Sequence, residues 1–226
     1  AIVPIDEDQV RSEVEKLAAA GVEAIAVCFL HAYKNSTHER AARDVIAASC
    51  PDISVSVSSE VQPELREYER VSTTTANAYV QPLMARYVRH LVDALGKRGF
   101  RGRFHLTQSS GGLVAPEVAI RFPIRLLESG PAGGALASAH VGSRVGKDDV
   151  ISFDMGGTTA KACLIQDGKA NIAPRIEAAR VHRFKSGSGL PIKAPVVDMI
   201  EVGAGGGSVA RVDQLGLLKV GPGSAG

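Results

Sequence analysis

The chain has 226 residues, 45% of them hydrophobic and 22% charged, an ordinary soluble globular composition that excludes a disordered or fibrous protein. Its 26 Lys and Arg against 24 Asp and Glu leave a net charge of +2, so no global charge argues for nucleic acid or an anionic membrane as partner. Cys28, Cys50 and Cys163 are odd in number and form no C-x-x-C pair, which argues against a disulfide framework or structural zinc and fits a reducing, cytoplasmic setting, while the longest apolar run, Ala24 to Leu30, is too short to span a bilayer.

In chain order, Asp6-x-x-Gln9 reads as a capping box opening a helix with Val10, Val14, Leu17 and Ala18 on its apolar face, closed by Gly21. Val22 to Leu30 has the nearly continuous apolar character of a strand buried on both faces. A second capping box, Ser36-x-x-Glu39, opens a helix to about Ser49, and the Asn35-Ser36-Thr37 sequon is read as that helix start. Past Pro51 a short strand runs from Ile53 to Val57, and the α-β-α-β order with short connections predicts a mostly parallel sheet. A long helical stretch follows from Pro63 to about Leu95, with Leu65, Val71, Thr75, Leu83 and Leu91 facing inward and a break or kink at Pro82. Its Glu64, Arg66, Glu67, Glu69 and Arg70 cluster is read as a solvated face.

Of the 24 glycines, only Gly21 precedes Gly96, so the second half answers to different backbone demands, those of loops that approach something. A strand from Phe104 to Thr107 leads into Gln108-Ser109-Ser110-Gly111-Gly112, and a helix covers Ala132 to about Ser143. The strand Val150 to Phe153 ends in Asp154-Met155-Gly156-Gly157-Thr158-Thr159 and returns as Ala160 to Ile165, with a hairpin turn at Asp167-Gly168. Short strands flank Gly203 to Ser208. Gly221 to Gly226 reads as a tail with nothing to pack, which makes the chain an expected piece of a longer polypeptide.

The segment Val150 to Ile165 carries the most specific chemical signal. A tight glycine turn between strands directs backbone N–H groups at an anion without interference from Cβ atoms, and Thr158 and Thr159 add hydroxyl donors. Asp154 at the strand end suits a hydrated Mg²⁺ beside phosphates; from this segment alone a plain hairpin, with Asp154 capping its own backbone, fits as well. Small residues from Gly130-Pro131 to His140 permit close approach of a neighbour to that helix. Ser109 to Gly112 offers exposed hydroxyls and backbone donors to substrate or phosphate, or is a plain loop; Gly203 to Ser208 lets backbone approach a nucleotide, or is a packing turn. Ser208 stands where a dinucleotide fingerprint needs its last glycine, Gly142-x-x-x-Gly146-Lys147 fails the P-loop spacing, and none of the six histidines pair at metal-ligand spacing.

The helix followed by the strand and Asp-x-Gly-Gly-Thr turn resembles the first connecting helix and second phosphate motif of the actin, sugar-kinase and heat-shock-chaperone ATPase superfamily. Over the whole chain, Ser59 to Arg70 with Thr73-Thr74-Thr75-x-Asn77-Ala78-Tyr79, then Gln108 to Leu113, Glu128 to Gly134, Asp154 to Thr159 and Val202 to Ser208, are similar in content and order to the hydantoinase A / 5-oxoprolinase family, as is Val22 to Tyr33. The resemblance implies an α/β, two-lobed actin-like (ribonuclease H-like) ATPase fold, incomplete here, with the end of the first lobe and the start of the second. It implies residues 1–70 as the end of that family's N-terminal region and 71–226 as the start of its ATPase domain.

In function the resemblance implies an ATP-dependent hydrolase that opens cyclic amides of hydantoin or 5-oxoproline type by phosphorylating the amide oxygen. ATP and Mg²⁺ are the implied cofactors, a hydantoinase B-type subunit or domain the partner, and an oligomer the full-length form. An acetone-carboxylase-like β subunit that activates a carbonyl with ATP, and a non-catalytic nucleotide-binding or docking module, are the alternatives. On this reading Asp154, Gly156, Gly157, Thr158, Thr159, Gly205, Gly206 and Gly207 bind the nucleotide, Asp154 is also the catalytic and metal-binding residue, and Ser109, Ser110, Gly111 and Gly112 meet the substrate. The family's opening phosphate loop is missing, so the isolated chain is expected to be catalytically weak or dead. Many relatives carry an acid where Lys161 stands, which puts metal coordination just after Thr159 in question; Lys161 contacts a phosphate or lies on the strand surface.

Overall fold

A computed structural model describes residues 3–182 and 187–225 of the chain. Ala1, Ile2 and Gly226, the outermost residues of the expected amino terminus and tail, lie outside the described residues. The fold mixes helices and strands, and it divides into two compact units, one of Ala1–Leu106, Leu113–Leu127 and Pro174–Ala194, the other of Thr107–Gly112, Glu128–Ala173 and Pro195–Gly226. Among the described residues no helix is long and apolar enough to cross a membrane.

The first unit begins with α1 (Glu7–Ala19), whose start is held by the Gln9 N–H donating to Asp6 Oδ1 at 2.9 Å, and whose end is turned by Gly21 at φ +81°. Parallel strands β1 (Ala24–Val27) and β2 (Ser54–Val57) run with Ala24 opposite Ser54 and Val27 opposite Val57, joined through α2 (Thr37–Ser49). The predicted parallel pairing is thus present, with β1 shorter than the apolar run suggested. Val14, Val27, Ala42, Ile46 and Val57 form one buried cluster, each larger side chain contributing about 1.5–3 kcal/mol. Leu17, expected inward, is exposed.

The second capping box does not form. Ser36 makes no side-chain cap, Asn35 Oδ1 accepts the Thr37 N–H instead at 3.0 Å, and Glu39 is only 1% exposed. Its carboxylate accepts the N–H of Phe29, the hydroxyl of Ser58 and the N–H of Ser59, so it ties together the ends of β1 and β2. A buried carboxylate satisfied by three donors is tolerated where an unpaired one is not.

After α3 (Ser58–Val61) comes α4 (Glu67–Lys97), which continues unbroken through Pro82 for 31 residues, so the expected break is absent. Its inward face is polar over its first half, not the predicted apolar one: Arg70, Thr73, Thr74, Asn77 and Gln81 are buried, with Ala78, Ala85 and Val88 completing the face, while Leu65 ahead of the helix and Val71, Thr75 and Leu83 on it are exposed and Leu91 is half-buried. Asn77 Nδ2 donates to Ser56 Oγ and the Arg121 carbonyl, its Oδ1 accepts the Ile124 N–H, and Gln81 Oε1 accepts from Ser56. Arg70, read as solvated, is 1% exposed and donates to the carbonyls of Phe29 and Glu64, with its guanidinium 5.6 Å from the Tyr33 ring centroid.

The chain continues through β3 (Leu106–Thr107), β4 (Leu113–Val114), α5 (Pro116–Arg121), a short 3-10 turn (Pro123–Leu126) and α6 (Ser129–Arg144). Then follow β5 (Val150–Met155), β6 (Ala160–Gln166), β7 (Lys169–Ala170), β8 (Ile172–Ala173), β9 (Ile176–Ala178), β10 (Leu190–Ile192), β11 (Val196–Val197), β12 (Ile200–Val202), β13 (Ser208–Val212) and β14 (Leu218–Ser224). In the second unit β12, β6 and β5 lie side by side, all antiparallel, with β7 turning back on β6 through Asp167 and Gly168, both at positive φ as a two-residue hairpin requires. Ala132, Ala135 and Ala139 of α6 pack with Cys163, Ile165 and Val197, so the small-residue stripe serves close helix-to-sheet contact. The end of the chain is no loose tail, because β14 pairs antiparallel with β13 and the Ala225 N–H donates to the Gly207 carbonyl at 2.8 Å.

Candidate functional site

Between β5 and β6 the chain reverses through Gly156 to Thr159, a turn closed by the Gly156 N–H donating to the Thr159 carbonyl at 2.9 Å. The glycine segment after β12 folds directly onto it. Gly206 N–H donates to the Gly156 carbonyl at 2.9 Å and Gly207 N–H to the Gly157 carbonyl at 2.8 Å. At Gly205 a Cβ would lie 2.5 Å from the Gly156 oxygen and 2.7 Å from both Gly157 C and Thr158 N, a distance only glycine allows. The Gly205 N–H is taken by Ser208 Oγ at 2.9 Å. Two segments that the sequence offered separately therefore form one double layer of backbone.

This layering orients the turn. The carbonyls of Gly156 and Gly157 are engaged from behind, while no carbonyl among the described residues accepts from the N–H groups of Gly157, Thr158 or Thr159. Gly157 and Thr158 are exposed, and with their N–H groups unengaged by any carbonyl these residues have donors to spare for an anion. Gly205, Gly206 and Gly207 have their own N–H groups committed inward, which makes them the support of the turn rather than donors to a ligand.

Asp154 lies near the end of β5, exposed, and no hydrogen bond or ion pair to its carboxylate occurs among the described residues. An exposed carboxylate beside unengaged N–H donors fits a largely hydrated Mg²⁺ arriving with phosphates, the usual way this ion is held. No cluster of three or more His, Cys, Asp or Glu among the described residues is placed to hold a metal by itself.

Opposite Asp154 across the ladder stands Lys161, and opposite Lys161 on the other side stands Glu201. Lys161 is not a strand-surface residue: its side chain is 17% exposed, with Nζ 2.5 Å from Glu128 Oε2 and 3.9 Å from Glu201 Oε1. Glu128 precedes α6, and its N–H donates to Ser109 Oγ at 2.9 Å. Ser109 is fully buried and its carbonyl accepts the Val197 N–H at 2.7 Å, so the expected exposed hydroxyl is instead a prop for the start of α6. Ser110 and Gly111 are half-buried and Gly112 is exposed, and Gly111 sits at φ +88° against Leu136. Sequence reasoning alone does not find Glu128 or Glu201. The alternation of β6 is the one signal for them, since it turns Lys161 to the α6 side together with Cys163 and Ile165, where an ammonium needs a carboxylate partner.

Two family models match the chain: Hydantoinase/oxoprolinase over residues 70–226 and Hydantoinase/oxoprolinase N-terminal region over residues 1–50. The chain is 42% identical, over its whole length, to a Methanocaldococcus jannaschii protein described as uncharacterized, covering 34% of it. It is 35% identical to caprolactamase subunit alpha of Pseudomonas jessenii, with 99% of this chain and 31% of that one covered. To the acetone carboxylase beta subunit of Xanthobacter autotrophicus it is 31% identical, with 100% and 30% covered. Among solved structures, the ATP-dependent caprolactamase of Pseudomonas jessenii is similar at a TM-score of 0.78 and 34% identity, with 99% and 31% covered. Acetone carboxylase in its nucleotide-free form is similar at 0.75 and 30% identity, with 100% and 31% covered. The chain thus spans about a third of the length of these relatives. With a family model matched from residue 70 to residue 226, on top of its N-terminal companion, the chain belongs to the hydantoinase/oxoprolinase family.

Proposed function

We propose that this chain supplies the phosphate-binding part of an ATP-dependent enzyme that opens cyclic amides of hydantoin or 5-oxoproline type. The observation that carries the reading is the Gly156 to Thr159 turn, whose carbonyls at Gly156 and Gly157 are held by Gly206 and Gly207, whose N–H groups at Gly157, Thr158 and Thr159 meet no carbonyl among the described residues, and which follows the unpartnered Asp154. Likeness to an ATP-dependent caprolactamase supports it. An unstrained lactam is a poor electrophile, and bound Mg-ATP would supply the phosphoryl group that converts its oxygen into a leaving group. The N–H groups of Gly157, Thr158 and Thr159, with the two threonine hydroxyls, hold phosphate oxygens; Asp154 orients the cation through water.

The same reading places these residues in a two-lobed actin-like fold, with residues 1–70 belonging to the N-terminal region and 71–226 to the ATPase domain, within an oligomer that includes a hydantoinase B-type subunit or domain. The names of the relatives as alpha and beta subunits support a partnered enzyme. A second reading, an acetone-carboxylase-like subunit activating a carbonyl, is supported by the 0.75 structural likeness.

The test is turnover by the full-length protein with its partner, offering hydantoin, 5-oxoproline, caprolactam and acetone. Ring opening matched by ADP release, and reduced at least about a hundredfold in Asp154→Ala, is the expected result. Ring opening without ATP would overturn the proposal. Bicarbonate-dependent consumption of the ketone would move the assignment to the second reading.

A further inference from the structure

The row of charges across the second unit's sheet has a specific arrangement. Successive strands β5, β6 and β12 place Asp154, Lys161 and Glu201 directly opposite one another, hence on the same face of the sheet. Glu128 reaches the same ammonium from the residue preceding α6. The acceptor is itself fixed, because the Glu128 N–H is held by buried Ser109 and its carbonyl accepts the Ala132 N–H at 3.1 Å in the first turn of α6.

We infer that Lys161 is a positioning residue that serves as the standing counter-charge of the Asp154 turn, an inference that rests on reading this turn as a phosphate site. Three carboxylates border the Lys161 position, and two of them, Glu128 and Glu201, pair with the ammonium while Asp154 pairs with nothing among the described residues. With Lys161 in place, an incoming polyanion meets a single uncompensated carboxylate. Without it, the polyanion would meet three carboxylates along one face of the sheet, whose like charges oppose its approach. The same pairing keeps Glu128 and Glu201 from gathering a protein-held divalent cation. Lys161 therefore sets the metal count of the turn at the single ion that accompanies the phosphates on Asp154, and it does so through the charge of its ammonium rather than by touching the reacting atoms.

The test is a Mn²⁺ titration of the full-length protein without nucleotide, read by electron paramagnetic resonance, on wild type, Lys161→Asp, Lys161→Gln and Lys161→Arg. Wild type and Lys161→Arg should bind Mn²⁺ equally weakly. Lys161→Asp should bind it at least about tenfold more tightly and Lys161→Gln to a smaller degree, with the gain abolished by adding Asp154→Asn. Retention of the wild-type pattern in Lys161→Arg separates charge from misfolding. Equal Mn²⁺ affinity in wild type and Lys161→Asp, or tight Mn²⁺ binding already in wild type, would overturn the inference. A parallel ATP titration keeps the two ideas apart: absence of ATP binding alongside the expected Mn²⁺ pattern would sink the phosphate reading and uphold the charge assignment.

Discussion

Gly205 shows how much a single missing methyl group decides. The space that a Cβ would need at this position is taken by the backbone of Gly156, Gly157 and Thr158, and backbone cannot step aside as a side chain can. Gly205→Ala should lower stability by about 1–3 kcal/mol in urea unfolding, whereas Gly206→Ala, whose nearest neighbour is 3.8 Å away, should stay close to wild type. The thiols supply a second prediction at this scale. Burial pushes the Cys28 thiol above its ordinary range, against a smaller opposing hydrogen bond from Thr74, and burial raises Cys163 with Asp198 adding to it. A raised thiol holds its proton at pH 8, so both should alkylate slowly with iodoacetamide in the native protein and rapidly in urea; fast native reaction at Cys28 would contradict this. The glycine turns were legible residue by residue, because glycine spacing reports backbone demand directly. Glu39 and Lys161 were not, since a carboxylate three residues after a serine looks like a cap, and a lysine on a strand looks solvated, until distant partners arrive.

At the scale of elements, α4 is the instructive case. Its apolar residues at helical spacing suggested the wrong inward face, because the helix buries Thr73, Asn77 and Gln81 in hydrogen bonds to Ser56, Arg121, Ile124 and Lys193. Satisfied polar groups pack as well as apolar ones, and hydrophobic periodicity is blind to them. Asn77→Ala removes one acceptor and two donor bonds at a fully buried position and should cost about 2–4 kcal/mol, while Leu83→Ala, on the exposed side, should cost under about 0.5 kcal/mol. Thermal denaturation of the two variants decides between this face and the one that apolar spacing selects. The parallel β1 and β2, the Asp167-Gly168 hairpin and the small-residue helix α6 were all readable in advance, since each rests on local rules of spacing or turn chemistry.

Over the whole molecule, the second unit's sheet is covered on one face by α6 and leaves Ile151, Phe153, Met155, Leu164, Ile200 and Val202 exposed on the other. An apolar face of that extent promotes association, so sedimentation of the 226-residue chain should shift to larger species with rising concentration, and the pair Phe153→Ser with Ile200→Thr should suppress the shift. A concentration-independent monomer would contradict it. Family membership was legible because several short motifs recur in a fixed order, whereas the joining of Gly205 to Gly207 with the Asp154 turn came only from the folded chain. The central claim is that this joined turn holds the phosphates of Mg-ATP, and isothermal titration of Mg-ATP into the full-length protein and its Asp154→Ala variant tests it most directly. The account predicts saturable binding that Asp154→Ala weakens at least about tenfold; no binding by the unaltered protein, or equal binding by both, would contradict it.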